Sequence, residues 1–238
     1  MKTLAIDIGG TGLKSSVLDE QGNMIVDRVR LPTPHPSRPK DILPAIGSLV
    51  RQLPAFDRIS AGFPGVVRGG RIVTAPHLGT KDWKGFDLQD ALAKQFGKPA
   101  RVENDAEVQG LGIITGQGLE VVLTLGTGIG SAIFDNGRMT PHLELAHHPI
   151  HKSATYDDYI GDRARKKLGK KKWSDRVLRT IDIVRTLLNF DTLYLGGGNS
   201  ANLTVKLPAN VKTASNDEGI LGGFRLWDDL HGRERGRP

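Results

Sequence analysis

The chain has 238 residues, 38% of them hydrophobic and 25% charged, which bounds it to one large or two small globular domains with a real core. It contains no cysteine, so disulfides, thiolate metal sites and a cysteine nucleophile are excluded, and a reducing compartment fits. The formal charge of +7 is local: Arg163 to Arg176 carries eight Lys or Arg against one Asp and the rest balances, a pattern that reads as a solvated helix face or as a surface for a polyanion.

Met1-Lys2-Thr3 lead straight into an apolar run, with no leader pattern and no segment of membrane-spanning length, so the expected location is the cytoplasm. Leu4-Ala5-Ile6 and Ser15-Ser16-Val17-Leu18 predict two strands joined by Asp7-Ile8-Gly9-Gly10-Thr11-Gly12-Leu13-Lys14. Glycines let backbone approach an anion closely, and the turn's N–H groups, the Thr11 hydroxyl and the Lys14 ammonium would cradle phosphate oxygens. Asp7 at the strand end could hold a hydrated Mg2+, which takes one or two carboxylates plus waters and phosphates. A bare glycine hairpin is the competing reading.

Asn23 to Val29 alternates as a third strand, and Pro32-Thr33-Pro34-His35-Pro36 with Pro39 predicts a surface loop. Asp41 would cap a helix to about Gln52, with Pro44 confined to its first turn. A buried strand, Asp57 to Gly62, ends in Phe63-Pro64-Gly65-Val66-Val67, where backbone can meet a ligand. Val66 to Val73 predicts a glycine-turned hairpin, Ala75 to Gly85 a polar loop containing Trp83, and Leu88 to Phe96 a helix capped by Asp87. The strand Ala100-Arg101-Val102 delivers Glu103-Asn104-Asp105-Ala106 to its C-terminal end, ahead of a helix with Val108, Leu111 and Ile114. On spacing alone Asp105 reads as that helix's cap.

Glu120 to Leu125, Gly126-Thr127-Gly128-Ile129-Gly130 and Ser131 to Phe134 repeat the opening organisation of strand, glycine turn and strand. Two such halves facing each other would hold a polyphosphate chain from both sides. Asn136-Gly137 signals a type I′ turn before a loop with Glu144, His147 and His148. Glu144 and His147 share a face if a helical turn lies there; with His148 and His151 they also permit a metal-site reading, which Pro149 weakens. A basic helix follows, then a strong helix from Ser174 to Leu188, a strand Thr192 to Leu195 and the run Gly196-Gly197-Gly198-Asn199. Asn216 to Leu230 reads as a helix start, and His231 to Pro238 as a disordered end.

With these pieces in order the chain resembles the ROK family of sugar kinases, and within it the polyphosphate glucokinases. The resemblance rests on Asp7 to Thr11, Phe63-Pro64-Gly65-Val66, Glu103-Asn104-Asp105-Ala106, Leu125 to Gly130 and Gly196-Gly197-Gly198, with the Glu144-to-His147 spacing and the Trp173-centred basic segment. It departs from the wider family in lacking the cysteines of a zinc motif, in Ala146 where glycine is usual, and in His77 near a usual asparagine. The resemblance implies an α/β, two-lobed actin-like or ribonuclease H-like ATPase fold with a central active-site cleft. Residues 1–106 would form the N-terminal lobe, with 216–238 returning to it, and 107–215 the C-terminal lobe.

It further implies transfer of a phosphoryl group from ATP or polyphosphate to a hexose, glucose first, at the 6-hydroxyl. Asp105 would be the base, and Gly65, Asn104, Glu144 and His147 would join it in binding sugar. Gly9, Gly10, Thr11, Lys14, Thr127 and Gly128 would hold phosphates, Gly196, Gly197 and Gly198 the nucleotide base, and Asp7 Mg2+ through water, with no zinc. A homodimer is implied, with no membrane and no nucleic-acid partner. The alternative is a sugar-binding regulatory protein of the same family without kinase activity; its relatives' DNA-binding domain has no counterpart ahead of Asp7.

Overall fold

A computed structural model describes residues 1–228 and divides the chain into two compact units, 1–112 with the C-terminal residues from Gly219, and 113–218. The predicted disorder of His231 to Pro238 lies outside the described residues, while the helix expected from Asn216 up to Leu230 already ends at Arg225.

The first unit is built on a five-stranded sheet in the order β3-β2-β1-β4-β7. β1 (Thr3–Ile8) and β2 (Gly12–Leu18) are antiparallel, with Asp7 opposite Lys14 and Ile8 opposite Leu13. The third strand, β3 (Val29–Pro32), starts where its predicted span ends. The Asp19 carboxylate accepts the N–H groups of Gln21 and Asn23, widening the turn, so Met24 and Ile25 stay largely exposed and continuous pairing with β2 resumes at Val29.

α1 (Pro39–Val50) places Pro39, not Pro44, in its first turn; Asp41 pairs with Arg38 at 2.7 Å instead of capping, and Pro44 sits in the helix interior. The preceding proline-rich loop is not wholly superficial. Thr33 and Ser37 are buried, and the Trp83 indole N–H donates to the Ser37 carbonyl. β4 (Arg58–Phe63) runs parallel to β1, and β5 (Val67–Arg68) and β6 (Arg71–Ile72) form the predicted hairpin, with Gly69 and Gly70 both at positive φ.

The stretch expected to be a polar loop contains α2 (Thr80–Trp83), and Trp83 is fully buried with its ring centroid 4.8 Å from that of Phe63. Polar neighbours hid a core anchor. α3 (Leu88–Phe96) is capped by Asp87, which accepts the Asp90 N–H, and β7 (Ala100–Asn104) lies parallel to β4. α4 (Asp105–Ile113) follows without an intervening residue.

The second unit has its own five-stranded sheet, β10-β9-β8-β13-β14. β8 (Leu119–Leu125) and β9 (Ile129–Asp135) pair antiparallel, and Asn136 and Gly137, both at positive φ, turn the chain into β10 (Arg138–Met139). The buried Glu120 carboxylate, on β8, accepts from the Thr115 N–H and hydroxyl, the Gly116 and Gln117 N–H groups and the Tyr194 hydroxyl.

β11 (Pro149–His151) and β12 (Ala154–Thr155) form a small ladder, and a Thr155–Asp158 capping box opens α5 (Tyr156–Ile160). The basic segment is two helices rather than one: α6 (Asp162–Leu168) stops at Gly169, whose φ of 77° ends the helix, and α7 (Lys170–Leu188) begins immediately after it. Trp173, Val177, Ile181 and Val184 bury one face of α7 against the sheet's core residues. β13 (Thr192–Gly196) and β14 (Val211–Thr213) complete the sheet in parallel with β8.

α8 (Asn216–Arg225) carries the chain back to the first unit. There the Ser60 hydroxyl meets the Gly223 carbonyl at 2.5 Å, the Trp227 indole N–H donates to Ser60 at 2.9 Å, and the Arg101 guanidinium stacks 4.4 Å above the Trp227 ring.

Candidate functional site

The sequence-predicted residues fall into two sets, one in each unit. In the first, the β1–β2 loop closes through the Gly9 N–H on the Gly12 carbonyl at 3.0 Å. Thr33, just beyond β3, braces the loop, its hydroxyl donating to the Gly9 carbonyl and its N–H to that of Thr11. With those carbonyls engaged, the N–H groups of Gly10 and Thr11 have no intramolecular acceptor among the described residues, as an anion cradle requires. The Lys14 ammonium is 2.9 Å from an Asp7 carboxylate oxygen, both groups being partly exposed. The loop containing His77 packs on this turn, since a Cβ on Gly10 would lie 3.2 Å from that of His77.

Beside it, β7 delivers Asn104 and Asp105. Asn104, not Asp105, is the principal cap of α4: its side-chain oxygen accepts the Ala106 and Glu107 N–H groups at 2.9 and 3.3 Å. Its amide nitrogen donates to the Gly65 carbonyl at 3.1 Å, so Asn104 ties the turn after β4 to the helix start and leaves one amide hydrogen for other use. Gly65 needs to be glycine because a Cβ would collide with the Thr74 carbonyl. Asp105 is half-buried above Gly62, where a Cβ would come within 3.2 Å of the Asp105 Cα, and one of its oxygens also accepts the Ala106 N–H.

In the second unit the β8–β9 loop closes one residue tighter, Gly126 N–H to Gly128 carbonyl at 3.0 Å. Gly197, at φ +80°, packs so closely on Leu125 that a Cβ would stand 2.5 Å from its carbonyl oxygen. Asn199 donates to the Gly126 carbonyl, so the Gly196–Asn199 run braces this loop and leads into a short 3-10 turn at Ser200–Asn202. Asp162 adds its N–H to the same carbonyl. Hydrogen bonds from Lys166, Arg165 and Asn199 hold the Asp162 carboxyl at about 2, well below its ordinary 3.8.

Glu144 and His147 lie about a turn closed by the His148 N–H on the Leu145 carbonyl, not a helix. Burial pushes the Glu144 carboxyl up, but the hydrogen bond and charge of His142, the Ala146 N–H and the charge of His147 prevail and hold it below the usual range. His142 Nε2 stands 3.6 Å from Glu144, with only 7% of its side chain exposed, and sequence reasoning missed it. The His-x-Glu spacing, which puts both side chains on one side of an extended segment, was the available signal.

Asp157 was missed too. It accepts the Ile129 N–H at 2.7 Å and lies 4.0 Å from His147 Nδ1, which links the Glu144 turn to the second glycine loop. Among the described residues no group of three or more His, Cys, Asp or Glu is arranged to hold a metal, and no helix is long and apolar enough to cross a membrane.

A concavity of about 490 Å³ opens at Thr127. Asp157 and Asp158 line one part, and Arg163, Lys167 and Arg176 supply cations. Arg176 is fixed there by Tyr159, with its guanidinium 4.5 Å from the ring and donating to the carbonyl at 3.2 Å. Lys170, Lys171 and Lys172 do not line it.

The ROK family profile matches residues 3–147, more than half the chain, and the chain belongs to that family. A polyphosphate glucokinase of Mycobacterium tuberculosis is 30% identical to it over 91% of this chain and 88% of its own. Among solved structures, the inorganic polyphosphate/ATP-glucomannokinase of Arthrobacter sp. strain KM is similar with a TM-score of 0.84 at 29% identity, covering 93% of this chain and 96% of that one. A ROK family glucokinase from Streptomyces griseus, in complex with glucose and AMPPNP, shares the fold with a TM-score of 0.77 at 18% identity, over 95% of this chain and 99% of that one. The α/β architecture is thus the actin-like, ribonuclease H-like fold that the motifs implied.

Proposed function

We propose that this ROK-family sugar kinase phosphorylates the 6-hydroxyl of glucose with inorganic polyphosphate as donor, beside ATP. The reaction class is phosphoryl transfer to an alcohol, which needs a base, positioning and neutralisation of the phosphoryl charge. Asp105 takes the hydroxyl proton, while Asn104 holds the Gly65 turn and offers its remaining amide hydrogen to the sugar. Glu144, kept ionised by His142 and His147, accepts hydrogen bonds from sugar hydroxyls. The Gly10 and Thr11 N–H groups and the Thr127–Gly128 turn receive phosphate oxygens.

One Asp7 oxygen is engaged by Lys14, and the other is open to a water of a hydrated Mg2+. That fits an ion needing few protein ligands; when bound, Mg2+ would neutralise charge on the donor phosphates.

The concavity at Thr127 carries the donor assignment. A long polyanion gains from cations extending away from a glycine loop, and Arg163, Lys167 and Arg176 provide them. The test replaces those three residues with Gln and compares KM for polyphosphate and for ATP at low and high salt. The expected result is a selective loss of polyphosphate use, and a steeper salt dependence for polyphosphate than for ATP in the unaltered protein, because the Debye length shrinks from about 10 Å at 0.1 M to about 3 Å at 1 M. Equal loss with both donors, or no turnover of polyphosphate at low salt, returns the patch to a solvated surface.

A further inference from the structure

Arg30 lies on β3, the edge strand of the first sheet, directly opposite Lys14 on β2, which is in turn opposite Asp7 on β1. Two cations paired across strands repel one another and cost stability unless something compensates. Lys14 is compensated by Asp7. The Arg30 side chain instead turns back along the strand over the glycine loop: a Cβ built on Gly12 would lie 2.9 Å from its Nε and 3.2 Å from its Nη2. The bare Gly12 backbone lets the guanidinium lie this close to the loop. Among the described residues no acceptor hydrogen-bonds Arg30 and no carboxylate pairs with it. An exposed guanidinium lies one residue from Thr11, whose N–H, like that of Gly10, has no acceptor among the described residues.

Resting on the kinase reading above, we propose that Arg30 binds the donor phosphates at the first glycine loop, supplying the cation that Lys14, neutralised by Asp7, does not. A planar guanidinium offers parallel N–H donors that match phosphate oxygens, and the paired Lys14 then serves to hold Asp7 in place. Because ATP and polyphosphate present the same condensed phosphates, the contact serves both donors. That distinguishes Arg30 from Arg163, Lys167 and Arg176, whose removal spares ATP.

The test is calorimetric titration of the full chain with tripolyphosphate and, separately, with ATP, beside steady-state kinetics. Arg30→Gln should weaken binding of both ligands, and raise the KM of both donors, by about tenfold, the worth of one charge-assisted hydrogen bond or more. The KM for glucose should stay unchanged. Arg30→Lys should recover part of the affinity, since it keeps charge but not the fork. Retention of the unaltered chain's unfolding midpoint by Arg30→Gln would separate a binding defect from misfolding. If it does not fold, Gly12→Ala, which pushes the guanidinium off the loop, should weaken both ligands in its place. Undiminished tripolyphosphate and ATP binding by a folded Arg30→Gln protein overturns the assignment. An unaltered chain that binds tripolyphosphate but phosphorylates no hexose would sink the kinase reading instead, and the binding comparison would still decide Arg30.

Discussion

Each glycine loop closes with a backbone hydrogen bond from its first glycine, to Gly12 in one and, a residue shorter, to Gly128 in the other, yet opposite charges lie over those acceptor glycines. Over Gly12 it is the Arg30 guanidinium; over Gly128 it is the Asp157 carboxylate, 3.0 Å from where a Cβ would sit. The repeated strand–loop–strand therefore supplies backbone geometry only, and neighbouring elements decide what each loop attracts. In the first unit a sheet-edge strand contributes a cation and the Thr33 brace. In the second, α5 contributes an anion that already takes the Ile129 N–H, and the cations stand further out along the concavity on α6 and α7.

The largest expected effect lies outside both loops and sets the scale for them. Asp105→Asn should lower kcat by at least about a hundredfold with sugar binding little changed, the worth of a positioned general base; near-normal turnover would remove Asp105 from that role. The braces come next. Gly197→Ala forces an alanine to φ +80° against the Leu125 backbone and should cost about 1–3 kcal/mol or more in urea unfolding. Thr33→Val, which leaves the Gly9 carbonyl without its hydroxyl donor, should cost about 1–2 kcal/mol.

Asp157→Asn tests the charge contrast directly. It removes the anion over Gly128, and tripolyphosphate affinity should rise about threefold, near 0.7 kcal/mol; a fall would mean that the carboxylate organises the loop more than it repels. The effect confined to the narrowest range of conditions concerns acid. Because the folded-state pKa of Asp162 is depressed from 3.8 to about 2, the stability it contributes is fully present above 3.8 and is lost as pH falls toward 2. Asp162→Asn should flatten the stability profile across that window and nowhere else, as followed by thermal unfolding.

Both glycine loops were legible in the sequence because a two-residue period and a glycine run are local signals. So was the α3 cap, for Asp87 stands immediately before its helix. What could not be read depends on register and burial. Nothing in Val29 to Pro32 says that Arg30 lies opposite Lys14, since that follows from how wide Asp19 makes the preceding turn. Trp83 sits among polar residues and is buried only because Phe63, Phe86 and the Ser37 carbonyl converge on it. Asp105 was weighed as a cap from its position; Asn104 holds most of that role because its amide reaches both the helix start and Gly65. The basic segment's cations were countable, but Gly169 divides them between α6 and α7, which sends Lys167 and Arg176 into the concavity and Lys170 to Lys172 out to solvent.

The Glu120 carboxylate accepts five hydrogen bonds and donates none. Its partners include the backbone N–H groups of Thr115, Gly116 and Gln117, which cannot reverse direction as a hydroxyl can. Glutamine has nearly the same shape, yet either orientation of its amide would aim an NH2 at a backbone N–H. At this position similarity of size is a poor guide to tolerance. Even the mildest replacement sets donor against donor, and an apolar one orphans three amides together.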